Sequence, residues 1–256
     1  MLIATPGRRT LNGMRGYGQF CPIAKAVEIL AERWMLLVLR ELLMGSRRYN
    51  DLRRGLPLIS PTVLTQRLKD LQSTGLIRHE VGSDGHSREY SLTASGEELR
   101  PLIVLAGTWG QRWVRSKMTR EDLDAGLLMW DIHRNVRVAS LPDTRTVIHF
   151  EFPDAKKSMK RWWLVVENGE VDLCIDDPGH EIDVRVLTDV RTMTQVWMGD
   201  LSLANARSTN LVKVTGNSRL SKTMGDWLGR SSFADVGPAD ADTMGAEPRH
   251  GQAIHA

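Results

Sequence analysis

Residues 60–71 place hydroxyl, amide and ammonium groups along one side of a helix, where they could contact a nucleic acid. Ser60 and Pro61 form a strong helix start, with serine as the N-cap and proline at the first helical position. At about 100° per residue, three leucines share one face, and polar residues share the opposite face: Thr62, Thr65, Gln66 and Lys69. These side-chain types hydrogen-bond base edges and phosphates, so the segment is predicted to contact DNA. A face that is simply solvated is the alternative that this pattern alone leaves open.

Basic residues and a predicted hairpin flank this helix. Arg47, Arg48, Arg53 and Arg54 lie in or just before a short helix over residues 49–54. After the polar-faced helix, strand-like runs at 76–81 and 87–93 enclose Asp84-Gly85, a strong hairpin dipeptide, and Arg88 lies near the tip. A helix, a turn, a polar-faced helix and a hairpin form a winged helix-turn-helix, whose second helix enters the major groove.

The predicted helices around this unit supply its core. Residues 34–44 are apolar nearly all round and are therefore expected to be buried. Ser95 and Glu98 have the spacing of a capping box for a long helix that reaches Trp113. A further helix over residues 121–135 is expected to link the two halves of the chain.

Several motifs in residues 17–117 resemble the HxlR-type regulators, a MarR-like winged-helix family. They are Cys21-Pro-Ile-Ala-Lys-Ala-Val-Glu-Ile-Leu-Ala-Glu-Arg-Trp34, Leu39-Arg-Glu-Leu, Arg48-Tyr-Asn-Asp-Leu52, Ile59-Ser-Pro-Thr-Val-Leu-Thr-Gln-Arg-Leu-Lys-Asp-Leu71 and Gly75-Leu-Ile. The resemblance implies a homodimeric bacterial transcription regulator, with dimer contacts from the first and last helices of the domain. It places Ser60, Thr62, Thr65, Gln66 and Lys69 on the recognition helix, and His86, Ser87 and Arg88 on the wing.

Cys21 has two interpretations. In some members of the family that this chain resembles, the cysteine that opens the first helix senses oxidants or electrophiles, and a helix N-terminus lowers a thiol pKa. The alternative is a small, buried side chain, which is the commoner role of such a cysteine.

From about residue 142 the pattern changes to alternating strands. Strand-like runs occur at 147–152, 161–167, 170–175, 181–187 and 211–215. Apolar residues alternate with polar ones in three of them, the runs that hold Ile148, Val171 and Ile182, which predicts an antiparallel sheet with one face buried under helices. The runs Val171–Val184, Val196–Leu203, Leu211–Gly216 and Asp226–Leu228 resemble the sterol carrier protein type-2-like fold. That resemblance implies an apolar tunnel for a hydrophobic small molecule, with six candidate lining residues: Phe150, Trp163, Leu173, Met193, Val196 and Trp197. Ordinary core packing is the alternative role for each of them.

The predicted fold class is therefore α+β, with five segments. They are a flexible N-terminus (1–16), a winged helix-turn-helix and dimerisation domain (17–118), a linking helix (119–141), the sterol-carrier-like domain (142–230) and a disordered tail (231–256).

Charge and composition exclude several classes of protein. Residues 1–120 hold 19 Lys and Arg against 10 Asp and Glu, whereas the remainder holds 15 against 21, so the basic half suits a polyanion. No run approaches the ~18 apolar residues of a membrane span, and two cysteines fit a reducing, cytoplasmic location. The seven histidines form no HExxH motif, and no nucleophile elbow or nucleotide-binding loop occurs, so we predict no enzyme, cofactor or metal.

The sequence favours a homodimeric regulator that binds a double-stranded, pseudo-palindromic operator and responds to a hydrophobic small molecule in the second domain. The alternative is a carrier of lipids or other hydrophobic molecules, whose winged-helix domain serves mainly in dimerisation. Salt-dependent binding to DNA distinguishes the two hypotheses.

Overall fold

The computed structural model describes residues 16–82, 85, 87–114 and 119–239. The first half contains helices α1 (Pro22–Leu30), α2 (Met35–Leu43), α3 (Tyr49–Gly55) and α4 (Pro61–Ser73). A two-stranded antiparallel hairpin follows, made of β1 (Ile77–Val81) and β2 (Arg88–Leu92), with Ile77 paired to Leu92. Helices α5 (Ala94–Glu97) and α6 (Arg100–Trp113) end this half. The order of elements is that of a winged helix-turn-helix, as the sequence predicts.

The long helix predicted after residue 95 is divided. Thr93, rather than Ser95, caps α5, because its hydroxyl accepts a hydrogen bond from the Gly96 amide (3.3 Å). Helix α6 then begins at Arg100, with Pro101 in its first turn. Because proline has no backbone N–H, Pro101 cannot donate to the Glu97 carbonyl, which accounts for the interruption.

The second half is built around a five-stranded sheet. Helix α7 (Ala125–Asn135) precedes β3 (Thr146–Glu151), β4 (Arg161–Glu167), β5 (Glu170–Cys174) and β6 (Val184–Leu187). Then come α8 (Val190–Met198), α9 (Leu203–Ser208), β7 (Lys213–Gly216), α10 (Ser218–Lys222) and α11 (Met224–Trp227). Short 3-10 turns occupy Arg120–Asp122, Val138–Ser140 and Lys157–Met159. The strand order is β5-β4-β3-β6-β7.

The prediction of a purely antiparallel sheet is wrong at its centre, because β3 and β6 pair in parallel, with Ile148 opposite Val184. A parallel partner requires the chain to cross the sheet between β5 and β6, and residues 175–183 make this crossing. Pro178 and His180 of the crossing segment line a cavity together with Val165 on the outer face of β4. The central strands are consequently buried on both faces, not on one.

Helix α7, predicted as part of a linker, belongs to the core of the C-terminal domain. Leu128, Met129 and Ile132 are buried in one cluster with Phe150 and other residues of the sheet. The helix carries an apolar stripe, and this stripe is buried where it packs on the sheet. The domain therefore begins before residue 142.

Residues 231–239, which were predicted to be disordered, make defined contacts in the structure. The Ser231 amide donates to the Trp197 carbonyl (2.9 Å), and the Ala239 amide donates to the Arg112 carbonyl at the end of α6 (3.0 Å). A Cβ built on Gly107 would lie 2.2 Å from the ring of Phe233, so that ring packs directly on α6. This segment, which we call the return segment, connects the C-terminal domain to α6.

Candidate DNA-binding surface

One face of helix α4 packs on the rest of its domain, and the opposite, polar face is exposed. The Ser60 hydroxyl caps the helix by accepting from the Val63 amide (3.3 Å), and the Tyr49 hydroxyl of α3 donates to the Pro61 carbonyl (3.1 Å). Leu64, Leu68 and Leu71 are buried in the core of the domain. The residues predicted to contact DNA are exposed, namely Ser60, Thr62, Thr65, Gln66 and Lys69. The helix therefore presents hydroxyl, amide and ammonium groups on one open face.

A buried carboxylate beneath this face was not found from the sequence. Asp70 accepts hydrogen bonds from the Gln66 amide (2.8 Å) and from the Arg67 guanidinium (3.0 Å). Arg67 also contacts Glu32 at 2.8 Å and the Arg33 carbonyl, which ties α4 to the segment between α1 and α2. The i,i+4 spacing of Gln66 and Asp70 was the signal that could have revealed the first contact. The side-chain amide of Gln66 therefore donates one hydrogen to Asp70, and its Oε1 can accept a hydrogen bond from another group.

The predicted wing is fixed to the start of α3. The Tyr90 amide donates to the Arg47 carbonyl (2.8 Å), and the Arg48 guanidinium pairs with Glu89 of β2 (3.2 Å). Arg47 and Arg48 are both exposed. Arg48 thus has a carboxylate partner within the protein, which sequence reasoning did not anticipate.

At the far end of the wing, Arg88 pairs with Val81 and is exposed, and the Ser87 carbonyl accepts from the Gly82 amide (2.7 Å). His86, also predicted as a wing contact, lies outside the described residues. His79 and Tyr90 stack with ring centroids 4.4 Å apart, which stiffens the hairpin.

Arg53, also predicted as a DNA contact, is an exposed residue of α3. It lines a cavity between α3 and the C-terminal domain together with Trp130 of α7. Its neighbour Arg54 pairs with Asp51 at 3.6 Å and lies 5.3 Å above the Trp130 ring. The basic pair at 53–54 therefore faces the junction of the two domains.

The junction contains a fully buried carboxylate, Glu41 of α2. It accepts from Arg40 at 2.7 Å, from the Ser46 hydroxyl at 3.0 Å and, across the junction, from Arg134 of α7 at 2.8 Å. The Trp130 indole N–H also points to it at 3.4 Å. A buried charge needs such partners to be tolerated. Sequence reasoning missed this site because residues 34–44 contain almost only apolar side chains.

Five of the six residues predicted to line a tunnel pack in one hydrophobic cluster, and the sixth, Trp163, lies apart from it. Phe150, Met193, Val196 and Trp197 are buried in one continuous core, and Leu173 packs at its edge. Trp163 pairs with His149, one position away from Phe150, and so lies on the opposite face of the sheet. Its ring contacts His149 with centroids 4.8 Å apart.

Helix α6 carries an exposed apolar row. None of its residues is buried, and Leu105 and Trp109 are 66% and 59% exposed. Near α1, Phe20 and Ile23 are also exposed. Exposed apolar surface of this extent is typical of an interface between proteins.

Cys21 is half-buried and forms the N-cap of α1 through its carbonyl, which accepts from the Lys25 amide (3.1 Å). Its redox role stays a prediction. Burial raises the pKa of the other thiol, Cys174, and the carboxylates of Asp172 and Asp176 act in the same direction.

Over the described ranges, no three His, Cys, Asp or Glu side chains group as metal ligands. No helix in the same part of the chain is long and apolar enough to span a bilayer.

The fold and the exposed helix define a winged helix-turn-helix protein, and the comparisons with known proteins agree. The model of the HxlR-like helix-turn-helix family matches residues 29–118. An uncharacterized HTH-type transcriptional regulator of Synechocystis sp. is 40% identical over 101 residues, which are 39% of this chain and 75% of that protein. The uncharacterized HTH-type regulator YvaP of Bacillus subtilis is 38% identical over 38% of this chain and 91% of its own length. The chain therefore belongs to the HxlR-like helix-turn-helix family.

Among solved structures, a putative MarR-family regulator from Porphyromonas gingivalis W83 aligns with 36% of this chain and 91% of its own chain. The identity is 35% and the TM-score is 0.33. The family model ends at residue 118, so the C-terminal domain described above lies outside this match.

Proposed function

We propose that this protein is a DNA-binding transcription regulator that contacts its operator through α4 and the wing. The observation that carries the proposal is the exposed polar face of α4, whose opposite face is packed into the domain core. Thr65, Gln66 and Lys69 then lie where a recognition helix meets base edges and phosphates. Arg47, Arg48, Ser87 and Arg88 flank that face as phosphate contacts. No catalytic activity is part of this proposal.

We further propose that the regulator acts as a homodimer joined through α1 and α6. The support is the exposed apolar row of α6, which a second copy of the chain would cover. A twofold dimer presents two recognition helices, and the operator is then pseudo-palindromic, with half-sites about 10 bp or a multiple of that apart.

The C-terminal domain enters the proposal as a sterol-carrier-like module that responds to a hydrophobic small molecule. Such an effector changes DNA binding only by favouring one arrangement of the protein over another. Because Phe150 and Met193 are fully buried in the core, a ligand among the six predicted residues requires that core to open.

The test is fluorescence anisotropy with the DNA upstream of the protein's own coding region, at several salt concentrations. Lys69→Ala and Arg88→Ala are expected to weaken binding to all sequences similarly, and each should reduce the salt slope by about one phosphate contact. Thr65→Ala and Gln66→Ala are expected to change which sequence is preferred, with a loss of about 1–3 kcal/mol at one position of the site.

Lys213→Ala, an exposed lysine on β7, is the matched control and should bind like the unmodified protein. Because Gln66 also bonds Asp70, urea midpoints are measured for each variant to separate recognition from stability. Unchanged affinity and preference in all four variants would refute the assignment.

A further inference from the structure

A groove lies between α3 and the C-terminal domain. It has a volume of about 540 Å³, which is within the usual range for small-molecule sites. One wall is formed by Asn50, Arg53 and Pro57 in or just after α3. The other wall is formed by Trp130 of α7, Trp162 of β4 and Ile175 after β5.

The walls combine apolar surface with positive charge. Ile175 is 58% exposed at the groove and presents apolar surface there. Arg54 is stacked over Trp130 and paired with Asp51, whereas Arg53 has no carboxylate partner within the described residues. The one carboxylate lining the described walls, Asp124, caps α7 by accepting from the Leu127 amide (2.8 Å). The helix N-terminus stabilises that negative charge.

A neighbouring cavity of about 590 Å³ lies beyond Pro57 and does not have this character. Three of its carboxylates are already used: Asp122 and Asp124 cap helical turns, and Asp154 accepts from the Val190 amide (3.1 Å). Its cationic lining residues are Arg40, Arg120 and Lys156, and the Arg40 guanidinium is held by Glu41 and the Gly55 carbonyl. The second cavity is therefore lined by four carboxylates and three cationic side chains, whereas the first groove has one carboxylate, Asp124, against Arg53 and Arg54.

We propose that the groove between α3 and the C-terminal domain binds a small organic anion with a flat apolar body, such as an aromatic carboxylate or sulfonate. The anionic group pairs with Arg53, and the apolar body covers Ile175 and the edge of Trp162. This site differs from the six core residues that the sequence indicates as a tunnel.

A ligand bound in the groove affects the DNA-binding surface through α3. This effect rests on the proposed function. Tyr49 at the start of α3 contacts the Pro61 carbonyl of α4, and Arg48 just before it contacts Glu89 of the wing. A ligand that fits one spacing of α3 from the C-terminal domain better than another shifts the population toward that spacing.

The site is tested without DNA, by titrating the full-length protein with two fluorescent probes. 8-Anilinonaphthalene-1-sulfonate is the anionic probe, and N-phenyl-1-naphthylamine is its uncharged counterpart. Arg53→Gln is expected to weaken binding of the sulfonate about three- to fivefold, the effect of an exposed ion pair, and to leave the uncharged probe unchanged. Ile175→Glu places a negative charge in the groove and should abolish saturable binding of the sulfonate.

The matched controls are Arg191→Gln, an exposed arginine on α8, and Leu211→Glu, an exposed leucine that lines neither cavity. Both should bind the probes like the unmodified protein. Sulfonate affinities within twofold of the unmodified protein for Arg53→Gln and Ile175→Glu together would overturn the site.

The effect on DNA is measured separately, by operator anisotropy with and without the sulfonate. A change in DNA affinity that Ile175→Glu removes supports coupling through α3. Unchanged DNA affinity at saturating sulfonate would overturn the coupling. A protein that binds no DNA in any condition would instead refute the proposed function, while the probe titrations still decide the site.

Discussion

Replacing Arg134 with alanine tests the junction between the two domains. The Arg134 guanidinium contacts the fully buried Glu41 carboxylate at 2.8 Å and also pairs with Asp131. Removing one partner of a buried ion pair costs about 3–5 kcal/mol, because the remaining charge is left without compensation. Here Arg40 and Ser46 still contact Glu41, so we expect a loss of about 2–3 kcal/mol.

Two further effects add to that loss. Arg134 lies 5.5 Å above the Trp130 ring, a contact of about 0.5–1 kcal/mol. Burial raises the pKa of the Asp131 carboxyl, and the Arg134 guanidinium opposes that rise. Without Arg134, Asp131 should therefore take up a proton at a higher pH in the folded protein.

The assay is urea unfolding followed by tryptophan fluorescence and by circular dichroism. Arg137→Ala is the control, because Arg137 is exposed and the described residues offer it no ion pair; its effect should stay within about 0.5 kcal/mol. A double-mutant cycle with Glu41→Leu and Arg134→Leu measures the coupling free energy between these two side chains. Strictly additive effects, or an Arg134→Ala variant as stable as the control, would refute this account of the junction.

Three other perturbations have defined outcomes. Gly55→Ala would place its Cβ 2.0 Å from the Glu41 carboxylate, so thermal unfolding should show a loss of about 1–3 kcal/mol. Gly225→Ala should be nearly neutral, because its Cβ would make only an ordinary contact with Leu203 at 3.9 Å. Burial lowers the pKa of His149, so the unfolded chain binds a proton near pH 6.5 before the folded protein does, and stability should fall as the pH drops below that value. His149→Gln should reduce this loss in urea midpoints between pH 7.5 and 5.5, and an unaltered pH dependence would contradict it. Phe233→Ala should speed proteolysis of the return segment without lowering the core's unfolding temperature by more than a few degrees; equal cleavage rates would argue against its packing on α6.

Local signals made helix α4 predictable. Ser60 and Pro61 mark its start, and the leucine spacing assigns its buried face, because both effects act within a few residues. The hairpin was predictable for the same reason, since a turn dipeptide and two alternating runs are adjacent in sequence.

Contacts between distant residues were not predictable. Glu41 meets Arg134 across 93 positions, so nothing in an apolar helix indicates the charge that it would bury. The parallel pairing of β3 and β6 depends on where residues 175–183 cross the sheet, which strand periodicity does not report. Trp163 was grouped with Phe150 because the register was unknown, and a shift of one residue transfers a side chain to the other face.

Among the described residues, the C-terminal domain contacts the winged-helix domain through α7 and again through the return segment. Helix α7 packs against α3 and binds Glu41 of α2, and the return segment reaches Gly107 and Arg112 of α6. A rearrangement of the domains that keeps both contacts is therefore restricted, because a turn at one contact strains the other. Such a geometry links a small displacement near α3 to α6, the helix through which we propose that two copies of the chain meet.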